Sequence, residues 1–147
     1  MHRAYALGSI VVVALTIVYG LFMAGSPGTE RDRRIDAQRL SDIRVIADAT
    51  LSIVYGNDRW SKPIPAPVSS LKPLPSSLEV IVRETVDQRV PSTDPEGIPY
   101  EYIVEDSTHF SVCTTFNYED MEQYAPFWNH PAGSYCYQFD TLEMNLP

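Results

Sequence analysis

Residues 30–55 read ERDRRIDAQRLSDIRVIADATLSIVY, and the period of this stretch decides how the chain folds. Leu40, Ile43, Ala47, Leu51 and Val54 recur at spacings of 3, 4, 4 and 3, which lays one apolar stripe along a helix. The opposite face is charged. Thr29 is a candidate N-cap, Glu30 and Asp32 fall in the first turn, and Gly56-Asn57 supplies a stop. Such a stripe needs a cover, which the rest of the chain has to provide. On this reading Ile43→Asp unfolds the domain, whereas Asp42→Ala, on the adjacent face, costs little.

Toward the N-terminus, Ser26-Pro27-Gly28-Thr29 reads as a short breaker. Before it, residues 4–24 (AYALGSIVVVALTIVYGLFMA) carry no charge, and at ~1.5 Å per residue such a run covers the ~30 Å hydrocarbon core of a bilayer. Residues 1–25 are therefore expected to be a transmembrane anchor, with Tyr5, Tyr19 and Phe22 near the headgroup levels. A cleaved signal peptide would have a shorter apolar region ending in small residues, and Met23 interrupts the best such site before Ser26. Arg31, Arg33 and Arg34 follow the run, and only His2 and Arg3 precede it. A count of positive charge thus turns the remaining chain inward. Long domains translocate largely regardless of that count, these arginines are interleaved with Glu30 and Asp32, and the cysteines point outward.

Toward the C-terminus the amphipathic helix, assigned to residues 26–60, gives way to a connector. Residues 61–77 (SKPIPAPVSSLKPLPSS) hold five prolines, which neither continue a helix nor pair in a central strand. Residues 78–147 then form a small acidic domain. Runs at 100–104 (YEYIV) and 109–116 (HFSVCTTF), and a weaker one at 134–139, have strand character, and Asp106-Ser107 fits a hairpin between the first two. Residues 78–86 (LEVIVRETV) read equally as a strand or as a helix start with Ser76 as N-cap and Glu79 in the first turn. The fold class is α+β, an amphipathic helix packed on a small antiparallel sheet.

Net charge is −8, with 10 acids and no lysine or arginine in residues 90–147. That surface repels phosphate, which excludes nucleic acid as the expected partner. Cys113 and Cys136 are an even pair behind an export signal, the setting of a disulfide, with two buried thiols as the other reading. Closing that loop is worth ~3 kcal/mol in the chain-entropy model. Zinc does not suit two cysteines with only His109 and His130 beside them.

The order of parts, and some local sequence, resemble type IV pilins and type II secretion pseudopilins. Residues 33–43 (RRIDAQRLSDI) are similar to the charged part of a pilin helix, Val54-Tyr55-Gly56-Asn57-Asp58 sits where those proteins carry Tyr followed by Asn-Gly and proline, and residues 94–102 (DPEGIPYEY) are similar to the pseudopilin D-P-x-G-x-P-Y-x-Y turn and strand. The resemblance implies a single-pass protein of the inner membrane with its C-terminal domain outside the cytoplasm, acting through contacts with other pilin-like or membrane subunits. The alternative is a single-span accessory subunit of a larger membrane complex. Gly8 stands where prepilins are cut, and Val13 then occupies the position those proteins give to glutamate.

No nucleophile elbow, P-loop, dinucleotide fingerprint or H-E-x-x-H motif is present, so neither an enzyme nor a small-molecule substrate is expected. His109 near Glu105 and Asp106, with His130, is the best arrangement for general base chemistry, and plain surface histidines are the more common reading of such positions. Asn117, Glu119, Asp120 and Glu122, with Asp94 and Glu96, offer hard oxygen ligands for calcium, a metal some pseudopilins hold in C-terminal loops; a solvated acidic loop is the other reading. Tyr124, Phe127, Trp128, Tyr135 and Tyr137 form either core or a patch for a protein partner.

Overall fold

The computed structural model describes residues 2–23, 27–56, 68, 71–85, 89–121 and 123–142, with side chains of the first helix described at residues 5 and 8–20. The chain divides into two compact units, Met1–Arg34 and Ile35–Pro147. The described elements are α1 (His2–Met23), α2 (Pro27–Tyr55), α3 (Leu78–Glu84), β1 (Glu101–Val104), β2 (His109–Phe116) and β3 (Gly133–Asp140). The fold is α+β, with one three-stranded antiparallel sheet in the order β1-β2-β3.

In the first unit, α1 exposes every described side chain. Among the described residues no helix is long and apolar enough to cross a membrane; the uncharged run of residues 4–24 extends past the described side chains at both ends. The expected breaker is not one at Pro27 and Gly28, which open α2. Proline is favoured at a first helical position, because its missing N–H would have no partner there and its φ is already helical. Thr29 therefore lies inside the helix rather than at its cap. Ala24, Gly25 and Ser26, on which any continuity of the two helices depends, lie outside the described residues.

In the second unit, Ile43, Ala47, Leu51 and Val54 of the expected stripe are buried, Leu40 is partly buried, and Ile46, Ala49 and Thr50 widen the face. It packs on β2 and β3 through Phe110, Val112, Phe116, Tyr137 and Phe139, with Leu78 and Ile81 of α3 closing the core. Strand register sets this up: Phe110 faces Phe139 and Val112 faces both Tyr102 and Tyr137, so alternate residues of three strands present one aromatic surface. Phe110 and Phe139 stack with centroids 5.0 Å apart.

Residues 78–84 resolve as a helix rather than a strand. Leu78 and Ile81, three apart, are buried while Glu79 and Val82 are exposed; an alternating strand would have put Leu78 and Val82 on one face. Its N-cap is Ser77, one residue after the expected Ser76. Gly56, at φ 68°, ends α2 in the left-handed conformation that glycine adopts without cost. Of the proline-rich connector only residue 68 and residues 71–77 are described. Leu71 and Leu74 pack on Leu51, Val54 and Tyr55, and the Lys72 amide donates to the Val54 carbonyl at 2.9 Å.

Asp42 is the correction to the helix reading. Its side chain is buried and accepts a hydrogen bond from the Tyr100 hydroxyl at 2.7 Å and from Gln38 Nε2 at 2.7 Å. Asp42→Ala strands the buried hydroxyl of Tyr100 and should therefore cost ~1–3 kcal/mol rather than little. Ile43→Asp should abolish the cooperative transition. Urea melts of both variants, followed by circular dichroism, check the order.

Candidate functional site

Two constellations hold the polar chemistry of the second unit. The first is built on α2, where Asp36 and Arg39 lie one turn apart and both are buried. Arg39 donates from Nε and Nη2 to Asp94 Oδ2 at 2.8 and 2.6 Å, from Nη2 to Glu96 Oε2 at 2.6 Å, and from Nη1 to Asp36 Oδ1 at 3.1 Å. The other Asp94 oxygen accepts the amides of Glu96 at 2.9 Å and Ile98 at 2.8 Å. The turn closes with the Gly97 amide on the Asp94 carbonyl at 3.0 Å, at a glycine of φ 85°. Asp36 accepts the amides of Asn117 and Tyr118 and the Asn117 side-chain amide. One pair of helical residues thus fastens the 94–98 turn and the end of β2 to α2.

Electrostatics follow the geometry. Burial pushes the Asp94 carboxyl up, but the Ile98 amide, the Arg39 guanidinium and the Glu96 amide together hold it below its ordinary value. Burial alone would lower Arg39; the hydrogen bonds it donates to Asp94 and Asp36 more than offset it. Burial, together with the bond to Asp42, pushes Tyr100 well up, and burial pushes Tyr102 up to about 12.

The second constellation is the disulfide loop. Cys113 and Cys136 are joined, and they are register partners on adjacent strands with Cα atoms 4.0 Å apart. Within the loop Asp120 and His130 exchange backbone hydrogen bonds at 2.9 and 3.1 Å. His130 is buried and stacks on Phe116 with centroids 3.5 Å apart. The Pro126–Trp128 turn is fixed by the Tyr137 hydroxyl donating to the Trp128 carbonyl at 2.6 Å.

The residues expected at a partner patch separate. Trp128 is core: only 4% exposed, it packs on Tyr137 and Phe139. Tyr135 is half-buried against Tyr137. Tyr124 is 94% exposed and Phe127 42%, and exposed Tyr118 and Met121 lie in the same loop.

The expected calcium ligands have these places. Asn117 is engaged by Asp36, Asp94 and Glu96 are engaged by Arg39, Glu119 and Asp120 are exposed in the loop, and Glu122 lies outside the described residues. Among the described residues no group of three or more His, Cys, Asp or Glu side chains could hold a metal ion.

The histidines stand at opposite ends of β2, His130 against Phe116 and His109 at the first position. His109 Nδ1 is 2.8 Å from Asp106 Oδ2, and its Nε2 is 3.6 Å from Asp140. Asp106 also accepts the amides of Thr108 at 2.7 Å and His109 at 2.8 Å, which is how this hairpin turns without glycine. The Thr108 amide, the His109 imidazole and the His109 amide hold Asp106 far below its ordinary value, and Asp106 in turn raises His109.

Asp36, Arg39 and Asp42 were the residues that pattern reading missed. The buried positions 36, 39, 43, 46 and 50 repeat at spacings of 3, 4, 3 and 4, so the stripe itself extends through the charged residues. No protein-family model, curated protein or solved structure matches the chain.

Removing Arg39 leaves Asp94 and Asp36 buried without their cation, so Arg39→Met should cost ~3–5 kcal/mol, and adding Asp94→Asn should recover part of that loss in urea melts. Asp94, being depressed, contributes fully above about pH 4, and its share is lost as acid protonates it; the Arg39→Met variant should show a weaker acid dependence between about pH 5 and 2.

His109, being raised, behaves in the opposite sense. Its contribution is complete below the ordinary histidine value of about 6.5 and disappears as pH rises through the folded value. Two-dimensional NMR titration should place His109 above that value in the native protein and closer to it in Asp106→Asn.

Proposed function

We propose that the chain is a membrane-anchored, extracytoplasmic domain of the pilin-like or pseudopilin-like kind, acting through protein contacts rather than catalysis. The observation that carries this reading is the chemistry of α1. Residues 4–24 hold no charge, and Tyr5, Ile10, Val11, Val12, Val13, Leu15, Ile17, Val18 and Tyr19 are each more than half exposed. Lipid, or other apolar helices within lipid, is the cover that suits such a surface. The disulfide supports placement of the C-terminal unit outside the reducing cytoplasm. The pilin-like reading draws on α2 packing its stripe on an antiparallel sheet that ends in a cysteine-closed loop. The contacts are assigned to Tyr118, Met121, Tyr124 and Phe127, apolar groups that the loop leaves exposed.

Val13 favours the second reading, an accessory subunit of a larger membrane complex, because a pilin-type fibre uses a glutamate at that place. One measurement tests the topology and a second separates the readings. Protease added to intact spheroplasts should remove residues beyond about 30, and full protection would place the unit in the cytoplasm. N-terminal sequencing of the mature chain should begin at Ser9 if the pilin route is followed, and at the unprocessed start if the chain is an accessory subunit.

A further inference from the structure

An open groove of about 520 Å³ runs along α2, lined by Ser41, Arg44, Val45, Asp48 and Arg89. The first four sit at spacings of 3, 1 and 3 and share one helix face, while exposed Arg89 stands just before buried Val90. We propose that this groove binds a carboxylate side chain of an acidic, extended segment of a partner protein, with Arg44 and Arg89 as its two donors.

Arg44 is prepared for that task. Its guanidinium lies over the Trp128 ring at 4.6 Å from the centroid, and that ring is itself held by Tyr137 and Phe139. A guanidinium held over an aromatic ring has its rotamers restricted in advance and still carries N–H donors for an acceptor. Among the described residues neither Arg44 nor Arg89 has an ion-pair partner, in contrast to Arg39, whose donors are spent on three carboxylates. Two guanidinium groups against the single carboxylate of Asp48 in one lining, on a chain of net charge −8, form a local positive site that an anion completes.

Asp48, which has a partner of its own, also lines the groove, and against Arg44 and Arg89 it leaves these lining residues at one net positive charge. A planar carboxylate matches the fork of a guanidinium and can accept two parallel N–H bonds from it. Val45 follows Arg44 in the lining and offers apolar contact to a neighbouring side chain, and the volume is within the range of ligand-binding clefts. Ten acids in residues 90–147 repel anionic partners at long range, so recognition depends on short, directed hydrogen bonds within about one Debye length.

The test uses the full chain in neutral detergent and a fluorescein-labelled peptide of alternating Glu and Leu, read by polarisation. The Glu peptide should bind, its Gln counterpart should not, and Arg89→Gln should weaken binding about tenfold. Arg44→Gln should do the same, and Asp48→Asn should tighten it; an unchanged thermal melt for Arg89→Gln keeps the result separate from folding. The groove is not a carboxylate site if Glu and Gln peptides bind alike, if neither arginine variant alters binding, or if inorganic phosphate displaces the peptide at equal concentration. Sedimentation showing that Arg89→Gln abolishes self-association while peptide binding is unchanged would assign the groove to a second copy of this chain and overturn the proposal. None of these outcomes depends on whether α1 is a membrane anchor.

Discussion

The second unit is organised around a single guanidinium. Arg39 is 2% exposed and meets Asp94, Glu96 and Asp36 at 2.6 to 3.1 Å. Burying a charge is costly, and its attraction to one carboxylate seldom repays the desolvation. Here the arrangement is more complete than a pair, because the Asp94 oxygen that Arg39 does not use accepts two backbone amides and both Asp36 oxygens accept backbone amides as well. A network with its members satisfied costs little to keep and much to break. Its effect is geometric as well: the 94–98 turn can take only the position that brings Asp94 to Arg39, and Tyr100, two residues on, then reaches Asp42. β1 begins at the next residue, so the placement of an edge strand is tied to a helix far away in sequence.

Apolar burial does the rest of the stabilising, and it also depends on α2. A sheet of three strands has one face to bury and cannot cover it alone. Ile43, Ile46, Ala47 and Ala49 supply the cover, each larger side chain contributing ~1.5–3 kcal/mol. β2 lies in the middle and is buried along most of its length, whereas β1 is short and exposes Ile103 and Val104. The polar clasp at Arg39 therefore acts where apolar burial is weakest, near β1.

Much of this was legible in the residues. The spacing of Leu40, Ile43, Ala47, Leu51 and Val54 identified the covering helix, β2 matched its run of residues 109–116, and the cysteine pair identified the bond between β2 and β3. What pattern reading missed has one physical cause. Period assigns a face, but the sign of burial was inferred from polarity, and Asp36, Arg39 and Asp42 are polar residues on the buried side. Their partners outside α2 lie 55 to 82 residues away, so no local spacing could announce them. The ambiguity at residues 78–84 had a related origin: LEVIVRE satisfies both a period of two and a period of three, and the packing of Leu78 and Ile81 in the core decides between them.

The disulfide acts in a way that its loop length alone does not convey. Cys113 and Cys136 sit opposite each other on strands that are already paired over eight positions, so the bond does not select the topology. Its consequence lies in the loop between the cysteines. That segment is held at Asn117 and Tyr118 by Asp36, at Asp120 and His130 by their mutual backbone bonds, and at Trp128 by Tyr137. With three fastenings along its course, the described part of the loop has little backbone freedom left to lose. Tyr124 and Phe127 are exposed from that fixed frame, and Phe127 is further steadied by the Trp128, Tyr137 and Phe139 rings. Aromatic side chains presented in this way give contact area at low entropic cost. A partner meeting this loop would therefore encounter a surface that needs little reordering.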